Sequence, residues 1–125
     1  MKNQNIQTAF KNKTVLVTGH TGFIGTWMSL WLNFLGAKVV GYSLNPSTKP
    51  SIFEIVKLKK NITHVIGDVT NFKKLQQTIK THKPEFVFHL AAQAIVRESY
   101  DSPLETFQTN VMGTVNILES IKNSS

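Results

Sequence analysis

Short apolar runs alternate along the chain with longer segments in which apolar residues recur every three or four positions. The short runs are rich in β-branched and aromatic residues and predict β-strands at about 13–18, 38–42, 62–66 and 85–90. The periodic segments predict helices at 23–35, briefly from 51, from 71 to the residue before Pro84, and from 102 to the end. Strand and helix therefore alternate throughout, which is typical of an α/β fold.

This alternation predicts a Rossmann-type doubly wound parallel sheet. Right-handed crossovers place its four strands in the order 3-2-1-4, with helices on both faces. Ligands of such sheets bind beyond the carboxyl ends of the strands where the order reverses, here strands one and four. The chain of 125 residues has the length of one domain. We expect a polar N-terminal extension at 1–12 and the domain itself from residue 13 onward.

The first long helix is apolar on nearly every side. Trp27 and Trp31 lie on an apolar stripe that neighbouring residues widen around most of the helix. Because a helix of this kind is normally buried on more than one side, we predict that both tryptophans pack in the core rather than stack on bases.

Helix-capping patterns mark the starts of the shorter helices. Ser51 with Glu54 has the capping-box spacing, and residues 102–105 repeat that pattern with a proline at the first helical position. Asn71 is predicted to cap the helix that follows it.

The stretch from Thr18 to Gly25, T-G-H-T-G-F-I-G, joins the first strand to the first long helix. Gly19 allows a tight turn, Gly22 leaves room for a pyrophosphate, and Gly25 lets the helix pack close to the strand. The free N–H groups of the first helical turn, with the helix dipole, face an anion there. The order of strand, glycine turn and helix predicts a phosphate site, although the spacing is not the common G-x-G-x-x-G. A tight connection without a ligand is the alternative.

The chain is basic, with fourteen Lys and Arg against seven Asp and Glu and a net charge of +7. Such a surface attracts nucleotides, phosphosugars or nucleic acid. The basic residues are scattered apart from a cluster at 57–60, and no element for reading nucleic acid is recognisable. We therefore expect no nucleic-acid partner.

One stretch without charge, from Thr14 to Ala37, is long enough to span a bilayer. Its threonines, glycines, serine and asparagine indicate a buried strand, turn and helix instead. The N-terminus has no apolar signal-peptide core, and the chain contains no cysteine. We expect a cytoplasmic protein with no membrane partner.

The four histidines, His20, His64, His82 and His89, show no metal-ligand spacing. His89 lies inside the fourth apolar run, which favours a core histidine over a general base. No metal is expected.

Four motifs together resemble the extended short-chain dehydrogenases/reductases. They are Thr18–Gly25, Gly67–Val69, His89–Gln93 and Asn110–Thr114. Within that superfamily the chain is most similar to the CDP-glucose 4,6-dehydratases, through Gly19–Phe23, Ser29–Leu32, Pro50–Glu54, Val96-Arg97 and Ser99-Tyr100. The likeness covers about residues 12–122.

The resemblance implies an NAD-dependent lyase. Members of this family convert CDP-glucose to CDP-4-keto-6-deoxyglucose, a precursor of deoxysugars in bacterial surface polysaccharides. The cofactor takes hydride from C4 of the glucose, water leaves across C5 and C6, and the hydride returns to C6. NAD is thus the expected cofactor, a nucleotide sugar (CDP-glucose by resemblance) the expected partner, and a homo-oligomer the expected assembly.

The resemblance also implies where the cofactor binds, with the pyrophosphate at the glycine turn, adenine near the third strand, and ribose and nicotinamide after the fourth. The expected cofactor-binding residues are Gly19, His20, Gly22, Phe23, Ile24, Gly25, Ser43, Asp68, Val69, Leu90, Ala91, Ala92, Gln93 and Thr109. Asp68 could instead cap the helix that follows it. Arg97 and Tyr100 could face a sugar nucleotide or lie in an exposed loop. Asn110 resembles an asparagine that fixes the fourth helix near the active site.

The chain departs from the family pattern in two ways. Dinucleotide sites often place an acid about 20 residues after the glycine turn, on the ribose 2′-hydroxyl, but the second strand here ends in Ser43–Asn45. The choice of NAD over NADP therefore rests on the resemblance and not on charge. The catalytic Tyr-x-x-x-Lys, in which lysine lowers the tyrosine pKa, is also missing, since neither Tyr42 nor Tyr100 has a lysine four positions later.

We therefore expect residues 13–125 to be the N-terminal half of an NAD-binding Rossmann domain, truncated after helix four and inactive alone. Its fourth strand would form an apolar edge, which predicts self-association. Other hypotheses remain open: a different nucleotide-sugar epimerase or dehydratase, a non-catalytic dinucleotide-binding module, and a basic nucleic-acid binder.

Overall fold

The computed structural model describes residues 5–124 of the chain. Its strands are β1 (Thr14–Thr18), β2 (Lys38–Ser43), β3 (Thr63–Ile66) and β4 (Phe86–His89). Its helices are α1 (Ile6–Phe10), α2 (Phe23–Phe34), α3 (Ile52–Ile55), α4 (Phe72–His82), α5 (Val96–Asp101), α6 (Pro103–Phe107) and α7 (Gly113–Lys122). A 3₁₀ turn spans Leu58–Lys60, and a π-helical turn at Gln108–Met112 joins α6 to α7. The strands predicted from the apolar runs are confirmed to within one residue at each end.

The four strands form one parallel sheet in the order β3-β2-β1-β4, which confirms the predicted topology. In register, Thr18 at the end of β1 lies opposite Tyr42 of β2 and His89 of β4. Because the strands are parallel, the segments that follow β1, β2 and β4 leave the sheet at the same edge. Most of the residues expected to bind a cofactor lie at the ends of these strands or just beyond them, whereas Asp68 and Val69 follow β3 and Thr109 lies in the π-helical turn.

Helices cover both faces of the sheet. On one face, Leu16 of β1 and Val40 of β2 pack in a core with side chains from α4 and α7, among them Leu75 and Ile117. On the other face, the core contains Val15, Val17 and Val39 from the strands and Leu32 from α2. This alternation of side chains between two covered faces follows from the period of two along each strand.

The prediction that both tryptophans of α2 are buried is wrong. Trp27 is 52% exposed and Trp31 45% exposed, whereas Thr26 and Ser29 are fully buried. Small residues let the helix axis approach the sheet closely, so the helix turns its small polar side inward and its aromatic side outward. The buried Ser29 hydroxyl has no hydrogen-bond partner among the described residues.

Two of the three capping predictions are confirmed and one is wrong. Ser51 accepts a hydrogen bond from the Glu54 amide at 3.3 Å, and Asn71 accepts one from the Lys74 amide at 3.1 Å, so both caps are confirmed. Ser102 makes no side-chain cap, and that prediction is wrong. Its backbone is already fixed as the end of α5, an unpredicted helix, since its amide donates to the Glu98 carbonyl. The long final helix is also divided into α6, the π-helical turn and α7.

Within the segment expected to be a polar extension, α1 packs against the edge of the sheet. The Phe10 ring meets Phe86 of β4 edge-on, with centroids 5.1 Å apart, and lies 6.2 Å from Phe88. The amide of Asn12 donates to the Gly36 carbonyl just beyond α2. Phe10 thus covers part of the apolar edge strand.

The charge-free stretch at 14–37 folds as β1, the glycine turn and α2. Among residues 5–124, no helix is long and apolar enough to cross a membrane.

Candidate functional site

The glycine turn lies at the edge of the sheet where β1 and β4 both end. The Thr18 hydroxyl oxygen accepts hydrogen bonds from the amides of Leu90 at 3.1 Å and Ala91 at 3.2 Å. Because this oxygen already accepts two bonds, its own proton goes to His89 Nδ1, 2.7 Å away. Thr18 therefore fixes the segment after β4 against the segment after β1.

The start of α2 leaves backbone donors free. Gly22 is the N-cap, no side chain caps the helix, and the first turn carries no acidic residue. The first backbone bond of the helix runs from the Thr26 amide to the Gly22 carbonyl. The amides of Phe23, Ile24 and Gly25 consequently have no partner among the described residues, and with the helix dipole they form a site for an anion.

The glycines at 22 and 25 are needed for different reasons. A Cβ at Gly25 would lie 2.0 Å from the Gly19 carbonyl oxygen, so only glycine lets α2 pack against the turn. At Gly22, φ is −77° and ψ is 173°, which any residue adopts, and a Cβ would meet only the Gly19 carbonyl oxygen at 3.3 Å. Backbone strain does not require glycine at position 22, and the 3.3 Å contact with the Gly19 carbonyl oxygen disfavours a side chain only mildly, so the open space in front of Gly22 is the stronger reason for glycine.

That space is a cleft of about 280 Å³ between the ends of β1, β2, β3 and β4. Nine of the expected cofactor-binding residues line it: Gly19, Gly22, Ser43, Asp68, Val69, Leu90, Ala91, Ala92 and Thr109. Six further lining residues were not predicted as a set: Thr21, Leu44, Asn45, Ser47, Gly67 and Glu105. Of these six, Thr21 and Gly67 lie in the motifs that carry the resemblance, and Asn45 lies at the end of the second predicted strand.

Two hydroxyls lie at the end of this cleft beside β2. Thr21 Oγ1 donates to the Leu44 carbonyl at 2.9 Å and lies 2.9 Å from Ser43 Oγ. Ser43 is therefore the donor of that second bond, and its oxygen keeps lone pairs that can accept from a ribose hydroxyl. A threonine three positions after a strand gave no separate signal in the sequence.

The His20 side chain does not line the cleft, contrary to its inclusion in the expected set. Its ring is fully buried and its Nε2 lies 2.6 Å from His64 Nδ1, with Phe53 packed edge-on against it at 5.5 Å. The ring crosses β2 over Gly41, where a Cβ would come within 2.3 Å of it. Burial, and secondly the neighbouring His64, lowers the His20 pKa to about 4, so the ring is neutral at pH 7.

Asp68 serves the turn after β3 and also lines the cleft. Its Oδ1 accepts from the Thr70 amide and from the Thr70 hydroxyl, both at 2.8 Å. Asn71, and not Asp68, caps α4. Asp68 Oδ2 has no partner among the described residues and is available to a ligand. The Tyr42 hydroxyl donates to the Asp68 carbonyl at 2.9 Å, and burial raises the Tyr42 pKa to about 12.

The backbone and the side chain of Gln93 both form hydrogen bonds with other residues of the protein. Asn110 in the π-helical turn accepts from the Gln93 amide at 2.8 Å and donates to the Gln93 carbonyl at 3.0 Å. The Gln93 side chain closes its own loop by accepting from the Ile95 amide at 2.6 Å and donating to the Ile95 carbonyl. Gln93 thus holds the loop beside the cleft and does not line the cleft itself.

The remaining candidates lie outside the cleft. Phe23 and Ile24 expose their side chains on α2, so only their amides face the anion site. Arg97 and Tyr100 lie on the exposed helix α5 and do not line the cleft. Within residues 5–124, no group of three His, Cys, Asp or Glu side chains is arranged to hold a metal ion.

Comparison with known proteins agrees with this architecture. The family model described as GDP-mannose 4,6 dehydratase matches residues 16–125. A CDP-glucose 4,6-dehydratase of Salmonella typhimurium is 55% identical over 113 residues, which is 90% of this chain and 32% of that protein. The chain thus spans about a third of the length of this relative.

Solved structures of similar fold include two epimerases. The UDP-glucose 4-epimerase of Thermotoga maritima, with UDP-glucose, has a TM-score of 0.80 and 30% identity, over 90% of this chain and 35% of that one. The UDP-glucose 4-epimerase of Thermus thermophilus, in complex with NAD, has a TM-score of 0.78 and 28% identity, over 89% of this chain and 34% of that one. With a family model matching most of its length, a sheet of this order and a cleft at this edge, the chain belongs to the GDP-mannose 4,6 dehydratase family.

Proposed function

We propose that this chain is the NAD-binding part of a nucleotide-sugar 4,6-dehydratase and that its sugar nucleotide is CDP-glucose. The cofactor assignment is supported by the NAD bound in the related Thermus thermophilus epimerase. The substrate assignment is supported by the name of the Salmonella typhimurium relative, which is 55% identical. A homo-oligomer is part of the proposal, because Leu104, Phe107 and Leu118 leave an apolar side of α6 and α7 exposed.

The observation that carries the cofactor assignment is the open space before Gly22. The cleft there is lined by Gly22, which directly precedes three backbone amides that have no partner among residues 5–124, and it continues past Ser43 to Asp68. A dinucleotide has anionic phosphates at its centre and an adenosine at one end, which matches this order of groups.

Each part of the cleft then has a task. With NAD bound, the amides of Phe23, Ile24 and Gly25 would hold the pyrophosphate, Ser43 would accept from the ribose, and Asp68 Oδ2 would accept from the adenine amino group. The segment after β4, held by Thr18, would contact the nicotinamide ribose. When bound, NAD would supply a reversible acceptor for the hydride that the dehydration removes and restores.

Neither tyrosine of this chain is suited to proton transfer in the reaction. Tyr42 is buried, donates to the Asp68 carbonyl and has a pKa raised to about 12, which is the wrong direction for a base near neutral pH. Tyr100 is exposed on α5, outside the cleft. We therefore expect the 125-residue chain to bind NAD without dehydratase turnover.

Replacing Gly22 tests the cofactor assignment. Gly22→Ala and Gly22→Val place a side chain in the anion site at a backbone conformation that both residues can adopt. We expect NAD affinity, measured by calorimetry, to fall at least tenfold for alanine and further for valine, while the melting temperature stays close to that of the parent chain. Unchanged NAD affinity in a folded Gly22→Val variant would contradict the proposal.

A second experiment tests the reaction. The chain, joined to the remaining two thirds of the Salmonella typhimurium relative, is incubated with CDP-glucose, UDP-glucose or GDP-mannose, and the product masses are measured by mass spectrometry. A dehydratase product has lost one water, and we expect this for CDP-glucose. The epimerase-like fold neighbours favour one alternative, 4-epimerisation, which leaves the mass unchanged and is detected by chromatography of the sugar.

A further inference from the structure

An apolar stripe runs along the outer side of α2, the side that faces away from the sheet. We call it the α2 stripe, and its five members are each between 45% and 81% exposed: Phe23, Ile24, Trp27, Trp31 and Phe34. At about 3.6 residues per turn they share one side of the helix, and the buried residues of α2 lie on the opposite side. Residues 5–124 therefore leave the stripe facing solvent.

The area of the stripe matches what one side of a protein interface provides. Fully covering an aromatic side chain buries about 150–250 Å², so at the observed exposures the five side chains present about 600 Å² to solvent. The largest apolar patch on a typical monomer is about 300–600 Å², and a specific interface buries about 1,000 Å² or more in total. Two such stripes together offer about 1,200 Å², which is enough for a stable pair.

The stripe carries no charge, although the chain as a whole has a net charge of +7. No Asp, Glu, Lys or Arg occurs from Thr14 to Ala37, a stretch that includes all of α2. Two copies that meet at this stripe therefore bring no like charges together, whereas they repel each other over their basic surfaces. A helix that lies on a lipid surface is rich in Lys and Arg along its polar face, and α2 has none. The charge pattern favours a second copy of the chain over a membrane.

The order of aromatic side chains along the stripe is the same in both directions. Phe23, Trp27, Trp31 and Phe34 follow one another at spacings of four, four and three residues, and they read Phe-Trp-Trp-Phe from either end. A two-fold interface uses the same patch on both copies, so the patch must be complementary to itself. Antiparallel pairing of two such helices brings tryptophan against tryptophan at the centre and phenylalanine against phenylalanine at each end. Aromatic pairs of this kind add to the stability gained from the buried area.

We propose that the α2 stripe is a surface at which two copies of this chain pair antiparallel about a two-fold axis, with Trp27 of each copy packed against Trp31 of the other. This surface is separate from the exposed apolar side of α6 and α7, because α2 and α7 cover opposite faces of the sheet. The inference does not depend on what the cofactor cleft binds. Two separate self-complementary surfaces on one chain permit assemblies larger than a dimer.

The test uses the chain with Leu118→Glu, which removes the association expected of α6 and α7. At tens of micromolar we expect light scattering to give twice the chain mass of 14.0 kDa. Trp27 and Trp31 are the two tryptophans of the chain, so tryptophan fluorescence reports on the stripe directly. Its emission maximum should move to shorter wavelength as the protein concentration rises.

A disrupting variant and a matched control locate the interface. Adding Trp31→Glu to the Leu118→Glu chain should give a mass of 14.0 kDa and an emission from Trp27 that does not change with concentration. Adding Tyr100→Glu instead changes an equally exposed aromatic residue on α5, outside the stripe, and should leave the dimer intact. The melting temperature of each variant shows whether it remains folded.

Cysteine cross-linking tests the antiparallel arrangement, because the chain contains no cysteine of its own. Chains with Trp27→Cys and isotope-labelled chains with Trp31→Cys are mixed and oxidised, and the disulfides are identified by mass spectrometry. We expect disulfides that join position 27 of one copy to position 31 of the other to outnumber those that join like positions.

The inference is overturned if the Leu118→Glu chain is monomeric, whether or not it sediments with vesicles of phosphatidylcholine and phosphatidylglycerol. It is also overturned if Trp31→Glu leaves the dimer intact or if like positions cross-link preferentially. In the chain joined to the remaining two thirds of the Salmonella typhimurium relative, Trp31→Glu should again reduce the mass of the assembly. An unchanged mass with a lower melting temperature would show that a later segment of the protein covers the stripe, and would contradict the inference.

Discussion

The contact between the buried His20 and the partly buried His64 predicts a specific loss of stability in mild acid. His20 Nε2 and His64 Nδ1 lie 2.6 Å apart, which requires one nitrogen to donate and the other to accept. Protonating both rings would bring two N–H groups face to face inside the protein, next to Lys59. Lowering the pH therefore acts on the folded state directly at this pair.

The size of the effect follows from the His20 pKa, which is lowered from 6.5 to about 4. The folded state binds this proton less readily than the unfolded state, so the stability from the neutral ring is fully present above pH 6.5 and is lost as the pH falls toward 4. The full difference corresponds to about 3 kcal/mol. Between pH 7.5 and pH 5 we expect the free energy of unfolding to fall by about 2 kcal/mol from His20 alone.

Urea denaturation at pH 7.5, 6.5, 5.5 and 5.0 measures this slope. His20→Asn should be less stable at pH 7.5 but should lose most of the pH dependence, and His64→Asn should reduce it. His82, which lies outside this histidine pair, supplies the control, and His82→Asn should keep the parent slope. His89 adds a smaller share, because burial lowers its pKa as well.

The reasoning is refuted if His20→Asn and the parent chain lose equal free energy over this interval. The remaining slope would then belong to other groups, and the neutral state of His20 would have no consequence for folding. Keeping the pH at 5 or above limits the contribution of carboxylates, which titrate mainly below that value.

Three further changes have defined outcomes. Gly25→Ala should lower the free energy of unfolding by about 3 kcal/mol in urea, since its Cβ would overlap the Gly19 carbonyl; a loss below 1 kcal/mol would count against this packing. Asn110→Ala should lower the free energy of unfolding by about 2 kcal/mol and speed hydrogen exchange at the Gln93 amide, which loses its acceptor. Unchanged exchange would be inconsistent with the hydrogen bonds between Asn110 and the Gln93 backbone. The parent chain should self-associate at tens of micromolar in light scattering, and the Leu118→Glu variant should self-associate less. A monomeric parent chain would show that the exposed apolar side of α6 and α7 does not drive association.

The strand order and the position of the cleft could be predicted from the sequence because they depend on local signals. The apolar runs fix the strands, their alternation with helices fixes a parallel sheet, and Gly19 to Gly25 fixes the sharp turn into α2. The caps at Ser51 and Asn71 were predictable for the same reason, since each depends on residues within one helical turn.

Features that depend on two distant segments could not be predicted. The sequence does not indicate that His20 crosses over Gly41 to reach His64, 44 positions later, because the room for it comes from a glycine on the intervening strand. Ser102 has the capping pattern, but α5 fixes its backbone first. In α2 the apolar pattern runs nearly all round the helix, so it could not show that small residues face the sheet and Trp27 faces outward.

The central place of β1 has a consequence for synthesis. Its last residue, Thr18, pairs with His89, which is 71 positions later in the chain. At ribosomal rates of about 5–20 residues per second, the edge of β1 that pairs with β4 stays unpaired for roughly 4–14 s until β4 has been synthesised. During that interval the nascent polypeptide presents an apolar strand with open hydrogen-bonding groups, so chaperones that shield such strands should raise the yield of correctly assembled protein.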